Sequence, residues 1–501
     1  MKPTVAKYYP QTANKWFWLG LALLIKLAFF IYFLHQYDKS LLDFNTAVIG
    51  HTTGDTASYL EPINNLVQNG TFSPDFRMPG YGAAFLLFRL FFNQLLAMNL
   101  LVILQLILAV VSVYCLALIA LYVFKSEKYF FATFFIYALS SYPSYFDALL
   151  VTESLSVSTL ILNVYFLIKF HETRKNIWLF ASGAFLCWGI FLRPVFLLLI
   201  VFEFLYLVSF LLRDKTVSFR KRIIALLLFM FPFIVAESMW VARNYYYNKQ
   251  FVILTKTIRY PWSNKDFVAI KDFICSWGGD DSYEHSAEIF WFEYHKELFK
   301  KSEKEINDIK FPDYIYTSKF NYDSLVAVKE LVKLSHDSAL GSENRKTYQL
   351  TIAGKLNKYA ASIKDEKPVV YYLYAPTKML IRFVFQSGSH FWFLKPFNEL
   401  NFFEKCIKLF YSLLYWTLVF FGSVGCIIFI ICDLRRFNIK VLMSFIALYI
   451  IIIHPIFLRQ TDERYIIPAY PFLTIMAVNV IFLLHQKVKK KPQVPNSKPQ
   501  V

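Results

Sequence analysis

Residues 51–82, HTTGDTASYLEPINNLVQNGTFSPDFRMPGYG, are richer in polar residues, glycine and proline than a simple connector needs. Within them Asp55 follows Gly54 and precedes a helix-like run that carries Tyr59. A carboxylate so placed can take a proton from a hydroxyl, a general-base role worth about 10²- to 10⁴-fold. It can equally cap a helix that begins at Thr56. Arg77, beside the rigid turn Met78-Pro79-Gly80, presents a fork of N–H donors suited to phosphate oxygens, or else snorkels to lipid headgroups. Glu153 follows the turn Ser141–Asp147 at the end of an apolar stretch. An ionisable group there is either functional or paired, and Arg193 is the candidate partner. Arg243, in Arg243-Asn244, and Arg464, in Asp462-Glu463-Arg464-Tyr465, also stand beside apolar stretches. Lys26, Glu203, Glu237 and His454 fall inside such stretches, and Lys26 with Glu203 reads as one bundle-facing polar pair rather than an ion pathway.

The elements that must position these residues are membrane spans. Of 501 residues, 57% are hydrophobic and only 18% charged, with a mean hydropathy of +0.42, which excludes disorder, collagen and an ordinary cytosolic enzyme. Apolar runs of about 18 residues or more can cross a hydrocarbon core of about 30 Å as helices. Ten are expected: 16–35, 95–124, 129–146, 150–168, 177–192, 195–212, 223–240, 406–432, 441–458 and 466–485. The first is too long for a signal-peptide core and is expected to stay as an anchor. With a cytoplasmic N-terminus, the cytoplasmic segments hold 21 Lys and Arg against Glu127, Glu172, Asp214 and Asp433, so +17 of the net +18 lies on one side. That is the positive-inside bias and not a nucleic-acid patch. The fold class is therefore an all-α polytopic membrane protein of about ten or more spans, in the cell membrane, with both termini cytoplasmic.

This topology divides the chain into a membrane module over 1–240, an outside segment over 241–405, C-terminal spans over 406–485 and a basic tail over 486–501. The first outside loop, 36–94, holds Asp55 and Arg77. The larger outside segment has helix-like spacing over 282–310 and 322–364, which predicts a small, mostly helical extracytoplasmic domain. Residues 368–385, PVVYYLYAPTKMLIRFVF, fit a helix lying in the membrane interface better than one crossing it. Six cysteines give no disulfide framework, leaving a Cys275–Cys406 bridge as the one open possibility. Asn69-Gly70-Thr71 is a glycosylation sequon, and no GxGxxG, P-loop, HExxH, GxSxG, CxxC or Asp-x-Asp motif occurs. On this topology Asp55, Arg77, Glu153, Arg193, Arg243 and Arg464 gather at the outer face, where guanidinium groups need anionic partners. With no nucleotide site, an activated substrate there must arrive through the lipid, which selects polyprenyl-phosphate sugars. Tyr59, Tyr81 and Tyr465 can stack on a sugar, or serve as interfacial anchors.

The order GDTASYL, RMPGYG, a Pro-Ser turn followed by VTESL, FLRP, WVARNYYYNKQFVILT at 240–255 and ERYIIPAYPF at 463–472 resembles integral-membrane C-type glycosyltransferases. The nearest resemblance is to bacterial relatives of dolichyl-phosphate-mannose protein mannosyltransferases and of the transferases that add aminoarabinose to lipid A. It implies a sugar moved from polyprenyl phosphate to a lipid, glycan or protein acceptor on the non-cytoplasmic side by one inverting displacement. Asp55 matches the catalytic Asp of the first loop. Arg77, Arg193, Arg243 and Arg464 are then candidates for the donor phosphate, and Glu153, at the second acidic position, orients the acceptor or holds a divalent cation. Protein mannosyltransferases carry Asp-Glu in that loop, whereas Thr56 follows Asp55 here, which keeps lipid and glycan acceptors open. The alternatives are a transporter or flippase for a lipid-linked or anionic solute, and a noncatalytic assembly subunit.

Overall fold

The computed structural model describes residues 15–41, 44, 46–72, 77–255, 265–279, 285–294, 305–306, 309–337 and 339–489. The basic tail lies almost wholly outside them, as do parts of the 282–310 helix prediction. The chain forms two compact units: the first is 1–255, 387–448 and 467–501, and the second is 256–386 with 449–466. Among the described residues the architecture is helical, with no strand. Eight helices among the described residues are long and apolar enough to cross a membrane. The protein is thus an all-α, multi-pass membrane protein.

The helices of the first unit are α1 (Lys15–Gln36), α2 (Thr56–Asn69), α3 (Gly80–Arg89), α4 (Gln94–Phe124), α5 (Glu127–Ala138), α6 (Ser141–Phe146), α7 (Thr152–Thr173), α8 (Asn176–Leu192), α9 (Leu197–Arg213) and α10 (Phe219–Asn248). The difference from ten spans has two local causes. Helix α8 has 17 residues, a rise of about 25 Å, at the short end of what crosses a hydrocarbon core. The expected span 129–146 is broken: α5 stops at Ala138, Ser140 is extended, and α6 begins at Ser141. Pro143 fits the first turn of a new helix, where no intrahelical N–H bond is needed, and not the middle of a long one. The break lets the chain turn at Asp147–Ala148 and reach α7 through Val151, which is extended. Burial ranks the spans: the most apolar window of α7 is 78% buried, whereas that of α10 is 22% buried and faces outward.

The second unit holds α11 (Lys265–Ser276), α12 (Glu288–Trp291), α13 (Tyr322–Ser335), α14 (Ser342–Glu366) and α15 (Ala375–Val384). Its own core includes Phe273, Trp277, Phe290, Leu325, Val332 and Leu356. The amide of Ser324 closes a capping box on Asn321 at the start of α13. Over 368–385 the chain makes a π-helical turn, Val370–Tyr374, followed by α15, which exposes Tyr372, Leu373, Ile381 and Phe385 and buries Met379 and Phe383. The remaining helices are α16 (Phe402–Asp433), α17 (Ile439–Ile452) and α18 (Tyr470–Lys489), of which α16 and α18 pack together in the first unit. All six cysteines are free thiols, so the Cys275–Cys406 bridge is not formed.

Candidate functional site

The loop that carries Asp55 is stitched to the extended segment after α6. The His51 amide donates to the Ala148 carbonyl at 2.8 Å, the Leu150 amide donates to the His51 carbonyl at 3.0 Å, and the Thr56 hydroxyl donates to the Leu150 carbonyl at 2.9 Å. From α4, Gln105 donates to the Leu149 carbonyl and Asn99 accepts from the Ile49 amide, both at 2.9 Å. These bonds satisfy backbone groups that would otherwise lie unpaired in a buried loop. They also hold the loop of Asp55 beside the segment that leads into α7 and Glu153.

Asp55 precedes α2, yet its side chain makes no capping bond. The start of α2 is served by hydroxyls instead: Thr56 accepts from the Thr53 amide, and Thr53 accepts from the Asp55 amide. The Asp55 carboxylate turns to Arg77, whose Nη2 donates to Oδ1 at 2.5 Å. The same guanidinium donates from Nε to Ser58 Oγ at 3.0 Å and from Nη1 to the Tyr59 hydroxyl at 2.8 Å, and lies 4.3 Å from the Tyr59 ring centroid. Ser58 and Tyr59 stand three and four residues after Asp55, so one helical face presents all three to Arg77. The pair stays partly accessible, with 27% of the Asp55 side chain and 21% of that of Arg77 exposed.

A second pair lies alongside. In the first turn of α7, Glu153 Oε1 accepts from Arg193 Nη2 at 2.5 Å, with only 2% and 8% of the two side chains exposed. The paired alternative for Glu153 is therefore the one the structure adopts. Arg193 leaves the line of α8 because the residue before a proline is pushed to extended backbone, and its φ of −142° agrees. The RMPGYG turn packs on the same place: a Cβ on Gly80 would collide with the backbone of Phe191 and Leu192, and the Gly80 carbonyl accepts from Trp188 at 3.0 Å. Only glycine allows that approach.

Tyr59 joins the two pairs, for its phenol lies within electrostatic reach of Arg77, Glu153, Asp55 and Arg193. Burial raises the phenol above its usual range, and Arg77 draws it partway back, so it stays neutral. It accepts from Arg77 and can donate its own proton onward. Tyr81 packs 5.4 Å from Tyr59 between ring centroids, but it is fully buried and its hydroxyl is spent on Gln105 at 2.7 Å. Tyr81 is thus a support under Tyr59, out of reach of a sugar.

The other expected residues have partners of their own. Arg243 in α10 donates to the Phe72 carbonyl and to Asn244 and is flanked by the rings of Phe72, Trp240 and Tyr247. Arg464 and Tyr465 belong to the second unit, where Arg464 pairs with Asp462 at 2.8 Å and Tyr465 stacks on the buried His454. Lys26 and Glu203 do not pair with each other. Lys26 binds Asp147 at 2.9 Å and Ser144 at 3.0 Å, both buried, while Glu203 accepts from Asn163 at 2.9 Å. Glu237 accepts from the Leu254 amide. Sequence reasoning missed Asp147, Gln105 and Ser58 as supports. Spacing from Asp55 was a usable signal for Ser58, but no local pattern pointed to the partner of Lys26, 121 residues away.

Among the described residues no group of three or more His, Cys, Asp or Glu side chains comes together. Asp55 and Glu153 each spend an oxygen on a guanidinium, a donor set that fits an ion-pair network and not a divalent cation. Comparison of the chain with protein-family models, with curated proteins and with solved structures finds no match.

Proposed function

We propose that this protein is a membrane glycosyltransferase that moves a sugar from a polyprenyl-phosphate donor to a hydroxyl or similar nucleophile at the non-cytoplasmic face. The observation that carries this reading is the Asp55–Arg77–Tyr59 cluster, partly accessible and braced from behind by the buried Glu153–Arg193 pair. Asp55 takes the acceptor proton, the acceptor oxygen bonds to the anomeric carbon with inversion, and the bond from that carbon to the phosphate oxygen breaks. Polyprenyl phosphate leaves with the electron pair. Cationic donors fixed in advance lower the cost of that growing charge; Arg77, which binds Asp55 itself, is the first candidate and Arg243 a further one. No step is routed through a metal ion.

The test is loss of a sugar from envelope lipids or glycans, read by mass spectrometry, in a deletion strain complemented with Asp55→Asn. Restoration equal to wild type overturns the reading. A transporter or flippase is the second reading. It draws on the broken α5–α6 segment and the buried Lys26–Asp147 pair, since discontinuous helices and intramembrane charges mark transport paths. It predicts that a double change to Lys26→Met and Asp147→Leu abolishes function while Asp55→Asn leaves it intact.

A further inference from the structure

In the second unit, the corner between α13 and α14 encloses a cleft of about 320 Å³, lined by Ser335, His336, Ser342, Arg345, Lys346 and Gln349. That is at the lower end of the range for small-molecule sites. Each lining side chain among the described residues is polar. Arg345 and Lys346 have no ion-pair partner among the described residues. Two cations beside two serine hydroxyls and a glutamine amide form a surface suited to oxygen acceptors.

The wall is held in place by the helices behind it. Ser335 is 3% exposed, and its hydroxyl donates to the Val332 carbonyl at 2.8 Å. His336 Nδ1 lies 3.0 Å from the same carbonyl and 3.1 Å from Ser335 Oγ, while its ring meets Tyr294 edge-on at 4.1 Å. A carbonyl only accepts, so Nδ1 carries the proton in that contact. Tyr294 is in turn fixed by Asp266, which is fully buried, through a hydrogen bond of 2.5 Å.

We infer that this cleft is a binding site for an anionic, oxygen-rich ligand of about monosaccharide size, a sugar phosphate or a phosphorylated headgroup. Arg345 supplies the planar fork for phosphate and Lys346 a second point charge. Gln349, one turn on from Arg345 along α14, is placed to meet sugar hydroxyls. The inference stands apart from the transferase reading, because none of these residues belongs to the Asp55 cluster.

The experiment is calorimetric titration of the full chain in lipid nanodiscs with glucose 6-phosphate, inorganic phosphate and neutral glucose. Saturable binding of both phosphate probes and none of glucose is expected. The double change Arg345→Ala and Lys346→Ala should weaken glucose 6-phosphate by about tenfold or more, since each removed charge-assisted bond is worth roughly that much. Exchanging the two cations, Arg345→Lys with Lys346→Arg, should retain most of the affinity and so separates charge recognition from misfolding. Competition by phosphatidylglycerol in the disc assigns the phosphate to a lipid headgroup, and its absence assigns it to a soluble ligand. The inference is overturned if neither phosphate probe saturates, or if the double alanine variant binds as the wild type does. Asp55→Asn should bind glucose 6-phosphate normally, so failure of the transferase proposal leaves this result readable.

Discussion

Asp55–Arg77 and Glu153–Arg193 are the same chemical pair at the same 2.5 Å, and they differ almost only in surroundings. The first sits on a loop with about a quarter of each side chain exposed; the second is sealed between α7 and the end of α8. A charge near water costs little to keep and can exchange partners. A sealed one is expensive to separate, because the survivor is left in a medium that cannot solvate it. On the proposed function, the contrast gives work to the first pair and support to the second.

Asp55→Asn tests the working half. It keeps the size of the side chain and a hydrogen bond to Arg77 but removes the base. Turnover should fall by about 10²- to 10⁴-fold, while unfolding in detergent shifts by no more than about 1 kcal/mol, as for other accessible pairs. If activity survives, Asp55 is another brace and the contrast is lost. Arg193→Ala tests the supporting half. Stranding Glu153 should cost about 3–5 kcal/mol, seen as a large drop in the thermal midpoint, and Glu153→Leu combined with Arg193→Met should recover most of it. A midpoint unchanged in Arg193→Ala removes the argument that Glu153 is structural.

A smaller effect sharpens how the two pairs are held in register. Gly80→Ala places a methyl group against the backbone of Phe191 and Leu192, just before Arg193. Overpacking of this kind costs about 1–3 kcal/mol. Because the shift moves the RMPGYG turn relative to α8, the activity lost in Gly80→Ala should exceed that in Gly54→Ala, where a Cβ meets no neighbour. Equal losses at the two glycines show that the register between the pairs is unimportant.

The sequence carried these pairs unequally. Membrane spans are legible because each is a local run of apolar residues, and eight of the ten expected appear as long helices. The broken one was missed because hydropathy is blind to where backbone bonds stop, although Pro143 was visible within it. Asp55 and Arg77 stood out as polar residues in a loop, and Glu153 with Arg193 as charges at the ends of apolar runs. The pairing of Glu153 with Arg193 was legible and is formed, but the partners of Asp55 and Lys26 were not. The capping role open to Asp55 disappears only once Arg77 is seen to claim its carboxylate, and Lys26 was matched to Glu203 when its partner is Asp147. Such pairings depend on how helices distant in sequence pack, a contact property absent from any window of the chain.

The smallest expected effect concerns the seam that joins the loop to its support. The His51 ring stacks on Tyr37 at 3.8 Å, while its backbone pairs with Ala148 and Leu150. Burial, with a contribution from Lys39, lowers the imidazole below its ordinary value of 6.5. The folded chain therefore resists protonation that the unfolded chain accepts. As pH falls through 6.5 the unfolded state binds more protons, and the stability of the seam declines; above that value both states are neutral and the full stability is present. Hydrogen exchange at the Leu150 amide, corrected for its intrinsic rate, should keep its protection above about pH 7 and lose it progressively as the pH falls below about 6.5. His51→Gln, which cannot take up the proton, should flatten that dependence while keeping the backbone pairing. Protection that does not vary with pH, or that varies equally in His51→Gln, removes His51 as the titrating group and leaves the seam held by its backbone bonds alone.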